Sequence, residues 1–482
     1  VRRARVPWKF TRGLVRHPSG RVSVPKVPHE IFKAYDIRGV VDRSLTEPVV
    51  ESIGRAIGSL ARERTGQAVV VGRDGRLSGP ALSGALIRGI RATGTDVIDV
   101  GLVATPMVYF AAAHLGTGSG VMVTGSHNPP DYNGLKMVVG GETLAGEAIQ
   151  GLLRRIETED FATGSGGLVE RDVSTDYIER IAADVRLARP LRIAVDAGNG
   201  VPGAFAPCLY ERLGCRVTPL FCEVDGTFPN HHPDPSQPKN LQDLIRHLAG
   251  SDDEIGLAFD GDGDRLGVVT RAGQIIYPDR QLMLFAADVL SRNPGAEIIF
   301  DVKCTRHLFP WIHERGGRAT LWKTGHSLIK AKMRETGALL AGEMSGHMFF
   351  KERWYGFDDG LYAGARLLEC LSREPDIDAT LEGLPDAFST PELQIRMPAD
   401  GEQHRLIARL QASATFTDPL AVITIDGLRV EYPDGFGLAR ASNTTPVVVL
   451  RFEADSEAAL ARIQEDFRRV LLAALPDAEL PF

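Results

Sequence analysis

No run in this chain approaches about 20 consecutive apolar residues, so a transmembrane helix is not expected. Cysteine is scarce: Cys208, Cys215, Cys222, Cys304 and Cys370 are odd in number and form no CxxC pair. Neither a structural zinc site nor a disulfide framework is expected, and a reducing cytoplasm fits. Basic charge is also in short supply, with a net charge of −7 that argues against general nucleic-acid binding, because phosphate backbones select basic surfaces. What is present is the make-up of a water-soluble globular protein, 43% apolar and 24% charged. At 482 residues the chain exceeds one ordinary core and predicts three or four domains.

One segment departs from that balance. Residues 1–27, VRRARVPWKFTRGLVRHPSGRVSVPKV, carry eight Lys/Arg and no acid. Without an apolar h-region this is no secretory signal. It reads as a disordered basic extension rather than an arm for nucleic acid or membrane. Its first residue is Val, so it can also be upstream sequence from an alternative start, a reading that a mature chain beginning at Val1 would exclude.

Short Val- and Ile-rich runs followed by Gly/Asp loops and helical stretches recur along the chain, the pattern of buried parallel strands in α/β units. They come in pairs: AVVVGRDGR (68–76) with GVMVTGSHN (120–128), RIAVDAGNG (192–200) with IGLAFDGDGD (255–264), and EIIFDVKCT (297–305) with GALLAGEMSGH (337–347). Each second run ends in a polar loop. Three related α/β modules are expected, each offering one loop to a shared cleft beyond the carboxyl ends of its strands, with a single large α/β domain as the alternative. From about Ala387 the pattern becomes α+β. AVITIDGLRVEY (421–432) and PVVVLRFEA (446–454) read as strands joined by the loop PDGFGLARASNTT, and SEAALARIQEDFRRVLLAAL (456–475) as an amphipathic helix. The expected limits are an extension at 1–27 and domains at 28–171, 172–274, 275–386 and 387–482.

Four loops can carry chemistry. In DGDGDR (260–265), Asp260, Asp262 and Asp264 alternate with glycines that let the backbone curl around one hard cation. An EF-hand is excluded by Arg265 at the sixth position and Arg271 at the twelfth. A solvated acidic turn is the ordinary alternative, but the flanking apolar runs favour Mg²⁺ completed by a phosphate oxygen. In GEMSGH (342–347), alternation on an extended backbone would point Glu343, Ser345 and His347 the same way, a set suited to a polyol; a polar surface turn explains the motif equally well. In RASNTTP (440–446), Arg440 can fork onto a phosphate with Ser442, Asn443 and Thr444 as neutral donors, while turn-forming composition accounts for the residues just as well. Arg38, Lys136, Arg265, Lys303 and His326 are single basic residues, each expected in a loop just beyond a strand or turn.

The fourth loop is TGSHNPPDYNGLK (124–136). Ser126 lacks the G-x-S-x-G frame of a nucleophile elbow. His127 follows directly, and neighbours on an extended loop point apart, so a hydrolase-style Ser-His pair is not expected. Near a metal loop and a phosphate loop, this serine can instead carry a phosphoryl group of about two negative charges, neutralised by Mg²⁺ and cationic side chains.

Taken together, FKAYDIRG (32–39), TGSHNPPDYNGLK, DGDGDR, GEMSGH and RASNTTP, in this order, resemble the α-D-phosphohexomutase superfamily in its bacterial phosphomannomutase/phosphoglucomutase branch. The resemblance covers nearly everything after the basic arm. It implies a heart-shaped enzyme of three related mixed-sheet α/β domains and a TBP-like α+β fourth around one cleft. Ser126 matches the phosphoserine, and Asp260, Asp262 and Asp264 the Mg²⁺ ligands, with Ser126 supplying a further oxygen. Glu343 and Ser345 match sugar-binding positions. Arg440, Ser442, Asn443 and Thr444 match the site for the non-reacting phosphate. Tyr35, Arg38, His127, Lys136, Arg265, Lys303, His326 and His347 match residues lining the cleft, His347 and Lys136 being the acid/base candidates. The implied reaction interconverts hexose 1- and 6-phosphates of mannose and glucose through a hexose 1,6-bisphosphate, in a cytoplasmic monomer without nucleic-acid or membrane partners. TGSHNP and EMSGH depart from the phosphoglucosamine mutase pattern, which makes that activity the alternative. A non-catalytic phosphosugar-binding protein would be expected to lack the serine or a metal ligand, and a Ser-dependent phosphatase would release phosphate in proportion to substrate.

Overall fold

The computed structural model describes residues 26–482. The basic extension read at 1–27 lies outside the described residues as far as residue 25, while Val27 is buried in the core of the first domain.

Each pair of apolar runs becomes a pair of parallel neighbours: Val70 aligns with Gly120, Ile193 with Ile255 and Ile298 with Leu340. The second strand of each pair then turns back through its polar loop into an antiparallel partner. Gly120–Val123 returns as Tyr132–Val139, Ile255–Phe259 as Leu266–Thr270, and Leu340–Gly342 as Met348–Phe350. The three sheets are therefore mixed, and the same topological position supplies the Ser126 loop, the aspartate loop and the Glu343 loop. These short strands are buried along their whole length, as continuous runs without a polar side chain require.

Helices cover both faces of the first sheet. On one side Glu47–Arg64, Gly79–Arg91 and Glu147–Glu157 enclose a core of that domain alone. On the other, Thr105–His114 (TPMVYFAAAH) is apolar on nearly every side, and it needs to be: it sits in a core that runs continuously into the second and third domains. The helix Gly360–Leu371, buried at every residue and capped by the Asp359 side chain on Tyr362 N, belongs to that core.

The fourth domain is an antiparallel sheet with its own core, closed by the helices Glu402–Ser413 and Glu457–Ala474. Two expectations change here. The segment 421–432 is a hairpin of Ala421–Ile423 and Leu428–Tyr432 rather than one strand. The stretch read as a loop contains the central strand Gly435–Ala441, paired on both sides. Its GFGLARA sequence is poor in strand formers, but its glycines admit close packing: a Cβ at Gly437 would lie 2.3 Å from the Phe467 ring of the covering helix. Among the described residues, no helix is long and apolar enough to cross a membrane.

Candidate active site

The four loops face one another across a cleft of about 400 Å³ to which every domain contributes. Tyr35, Arg38, Ser126, His127 and Lys136 line it from the first domain and Arg265 from the second. Lys303, His326, Glu343, Ser345 and His347 line it from the third, and Arg440, Ser442, Asn443 and Thr444 from the fourth. The three aspartates are not on the wall. They are fully buried one layer beneath Ser126. Three basic residues expected in loops stand on strands instead: Arg38 in Ile37–Val40, Lys136 in Tyr132–Val139 and Arg440 in Gly435–Ala441. A strand fixes the direction of a long side chain more firmly than a loop does.

Ser126 adopts φ +49°, a left-handed conformation unusual for a residue with a side chain. Thr124 Oγ1 accepts its N–H at 2.8 Å, and its Oγ donates to Asp260 Oδ2 at 3.0 Å. The same kink corrects the expectation for His127. The loop is not extended at this point, so neighbours do not diverge, and His127 Nδ1 lies 3.3 Å from Ser126 Oγ.

The aspartate loop curls around its own first residue, with Asp260 Oδ1 accepting from Gly263 N at 3.1 Å and Arg265 N at 3.2 Å. Carboxylate oxygens of Asp260, Asp262 and Asp264 lie within 4.8 Å of one another. Lys136 Nζ reaches Asp262 Oδ2 at 2.7 Å and Asp264 Oδ2 at 2.5 Å, and Thr105 Oγ1 donates to Asp262 Oδ2 at 2.5 Å. Of the other oxygens, Asp264 Oδ1 lies 3.2 Å from His347 Nε2, and Asp262 Oδ1 is buried without a hydrogen-bond partner among the described residues. An orphaned carboxylate oxygen in an all-oxygen donor set beside a serine hydroxyl fits a hard divalent cation.

These charges set one another's protonation. Burial, then repulsion from Asp262 and Asp264, pushes the Asp260 carboxyl well above the usual range. Burial opposes the charge on Lys136, but Asp262 and Asp264 outweigh it and hold the ammonium firmly protonated. The cleft histidines divide. Burial works against protonation of His347 too, yet Asp264 raises it to about 9, helped by a hydrogen bond to Glu343. His127 falls well below the ordinary value through burial and the charges of Arg265 and Arg38, as does His326 through burial and Lys330.

Glu343, Ser345 and His347 do converge, but by a different route from the one expected. The backbone makes a tight turn, with Glu343 N donating to His347 O at 2.9 Å, rather than an extended strand. Glu343 Oε2 and Ser345 Oγ both meet His347 Nδ1, at 2.9 and 3.0 Å. In the fourth domain Arg440 Nε contacts Asp426 Oδ2 at 3.1 Å, and Ser442 Oγ contacts Thr445 Oγ1 at 3.0 Å. Lys303 Nζ contacts Glu392 Oε2 at 3.0 Å. Tyr35 ties three domains together, donating to Thr324 O at 2.9 Å and accepting from Asn443 Nδ2.

Sequence reasoning passed over several residues. Asp74 and Arg76 of GRDGR lie under the Ser126 loop, and His232 Nε2 meets His127 O. Asp358 pairs with Lys330 Nζ at 2.7 Å and lies 3.4 Å from His326. A signal existed for GRDGR, which ends the strand Val69–Arg73 at the same carboxyl edge as the other loops. For NHHPDP and Asp358 no local pattern pointed to the cleft.

Comparison with known proteins agrees across all four domains. Residues 29–163, 175–273, 277–388 and 392–470 match in turn the alpha/beta/alpha domains I, II and III and the C-terminal domain described as Phosphoglucomutase/phosphomannomutase. A phosphoglucomutase of Neisseria meningitidis serogroup A is 62% identical over 447 residues, 92% of this chain and 97% of its own. A phosphomannomutase/phosphoglucomutase of Pseudomonas aeruginosa PAO1 is 57% identical over 459 residues, 95% of this chain and 99% of its own. The crystal structure of a phosphoglucomutase/phosphomannomutase family protein from Burkholderia thailandensis has a TM-score of 0.91 and 63% identity, covering 95% of this chain and all of that one.

Proposed function

The chain belongs to the phosphoglucomutase/phosphomannomutase family, and from that premise we propose that it interconverts the 1- and 6-phosphates of glucose and mannose with Ser126 as phosphoryl carrier. The observation that carries this reading is the placing of Ser126 Oγ, 3.0 Å from Asp260 at the floor of a cleft that all four domains wall. Arg440, Ser442, Asn443 and Thr444 would hold the phosphate that does not react, several neutral donors suiting either end of the sugar. Glu343 and Ser345 would hold sugar hydroxyls. The free hydroxyl attacks phosphorus on Ser126: a new P–O bond forms, the bond to Ser126 Oγ breaks, and the hydroxyl proton ends on Oγ. The 1,6-bisphosphate turns round, and its other phosphate returns to Ser126 by the reverse exchange. Lys136, Arg265 and His347, all cationic, would spread the charge of the transferring group, with His347 and Lys136 the candidates to give Ser126 Oγ a proton as they take up the one the hydroxyl loses. Mg²⁺, held by Asp260, Asp262, Asp264 and a phosphoserine oxygen, would supply further charge neutralisation there. All four loops come from one chain, so a monomer suffices. The five unpaired cysteines accord with a cytoplasmic setting.

The test combines intact mass of the purified protein with coupled assays on both sugars, with and without chelator. The expected results are a phosphate on Ser126, turnover of both sugars primed by a trace of bisphosphate, loss of turnover in chelator, and at least a ten-thousandfold loss in Ser126→Ala, about that expected for removing a covalent nucleophile. Inorganic phosphate released in proportion to substrate would point to a phosphatase, and a thousandfold preference for one sugar would end the claim of dual specificity.

A further inference from the structure

Beneath the Ser126 loop lies an arginine that none of the proposed chemistry uses. Arg76 is 1% exposed, and its two terminal nitrogens meet four backbone carbonyls of one loop. Nη2 donates to Ser126 O at 2.8 Å and Asn128 O at 2.6 Å, and Nη1 to Pro129 O at 2.6 Å and Tyr132 O at 2.9 Å. Carbonyls that would otherwise diverge around a Pro-Pro turn are thus gathered onto one planar cation. Gly125 is part of the fit, since a Cβ there would lie 2.4 Å from Arg76 Cζ and Nε. Asp74 completes the base: its carboxylate sits 3.3 Å from Arg76 Nε and accepts from Thr124 Oγ1 at 2.7 Å and Gly125 N at 3.2 Å. Thr124 Oγ1 in turn accepts from Ser126 N at 2.8 Å. The second domain closes the assembly from below, with the Phe228 ring 5.2 Å from the guanidinium carbon.

We propose that Arg76 is the positioning residue of the phosphoserine loop, its guanidinium gathering the carbonyls of Ser126, Asn128, Pro129 and Tyr132 so that Ser126 is held left-handed and aimed at Asp260. This rests on the reading of Ser126 as phosphoryl carrier. Positive φ on a serine persists only where its surroundings over-determine it, and here hydrogen bonds fix both sides of the residue, at its N–H and at its carbonyl. Lysine could not replace this arginine, because a point charge on a flexible stem has no planar fork to share among four acceptors. Arg76 touches no substrate; it acts through the direction it gives Ser126 Oγ.

The test uses full-length Arg76→Lys beside the wild type, with three readouts: hydrogen exchange of amides 124–132, steady-state kinetics on glucose 1-phosphate, and thermal melting. The expected result is at least tenfold faster exchange confined to that loop. With it, kcat falls about a hundredfold and KM stays within threefold, as expected when a reacting group is misdirected while the remote phosphate site is intact. Unchanged exchange, or a loss carried by KM alone, overturns the proposal. If Arg76→Lys does not fold, Thr124→Val carries the test: it removes the acceptor of Ser126 N while keeping the volume. Faster exchange at Ser126 with a roughly tenfold lower kcat supports the proposal, and wild-type behaviour overturns it. If the wild type itself shows no mutase turnover, the functional reading fails, while the exchange data still decide whether Arg76 orders the loop.

Discussion

At one end of the cleft, Ser126 and the three aspartates stand on sheets that share a single apolar core. At the other, Arg440 and Ser442 stand on a domain whose core is its own. The first three domains cannot slide past one another without exposing buried Val, Leu and Phe. The fourth meets them through a small apolar contact of Val302, Phe436 and Leu438 set in a polar seam. Arg429 donates from that seam to Val302 O and Cys304 O, both at 2.7 Å, Arg451 lies 3.3 Å from Asp279, and Thr305 Oγ1 donates to Glu453 at 2.8 Å. Hydrogen bonds and ion pairs of this kind can exchange with water as a domain swings, whereas a continuous core cannot. On the proposed function, the chemistry sits on the domains that share one core and the anchor for the non-reacting phosphate on the domain with its own, so changes at the two ends are expected to have separable effects.

The sharpest separation is expected from Asp260→Asn. The amide oxygen can still accept from the loop N–H groups while the NH2 faces Ser126 Oγ, which then accepts instead of donating, and the substitution removes a charge that would hold the cation. The expected effect is a loss in kcat of about a thousandfold with little change in KM. Stability should move the other way. With its carboxyl pushed up by burial and by Asp262 and Asp264, folded protein keeps a proton on Asp260 where the unfolded chain has lost it. That contribution is whole at low pH and declines as pH rises past about 4. In chelator, wild-type stability should thus fall from pH 5 to 8 more steeply than that of Asp260→Asn, and the variant should melt higher at pH 8. Parallel pH profiles would mean that the aspartates do not repel one another in the folded protein.

Arg440→Ala tests the other end and should do less. Losing a charge-assisted fork onto phosphate costs about 2–3 kcal/mol, read as a KM about 30- to 150-fold higher with kcat within threefold. Arg440→Lys, keeping charge without the fork, should fall between. A kcat defect in Arg440→Ala equal to that of Asp260→Asn would show that anchoring and chemistry are not divided between the ends.

Much of this division could be read in the sequence because its parts are local. Six apolar runs marked the parallel strands, and the loop after each second run held residues that the cleft brings together. What could not be read depended on distant contacts. GFGLARA looks like a loop until Phe467 and two flanking strands close over it. His127 approaches Ser126 where the chain enters the left-handed region at Ser126, a residue whose carbonyl is bonded by Arg76 from a distant part of the chain. Asp358 meets His326 and Lys330 through the packing of the third domain. Burial of the aspartates beneath the wall likewise follows from the docking of the first domain on the second, seen where Thr105 N donates to Asp262 O at 2.8 Å.

The smallest effect tests the polar seam itself. Arg306 pairs with Asp455 at the edge of the fourth domain, where the carboxylate is 52% exposed, and Arg306 Nη1 also donates to Pro433 O at 3.1 Å. Asp455→Asn removes one charge from a pair that solvent already screens and leaves the arginine a second partner, so the cost should be below about 1 kcal/mol. Because the fourth domain has its own core, scanning calorimetry should resolve its unfolding from that of the other three, and hydrogen exchange can assign each step. Asp455→Asn should lower the step assigned to the fourth domain by about 1–3 °C and leave the other in place. Equal displacement of both steps, or a single step in the wild type, would show that the polar seam binds the fourth domain as tightly as the apolar core binds the other three.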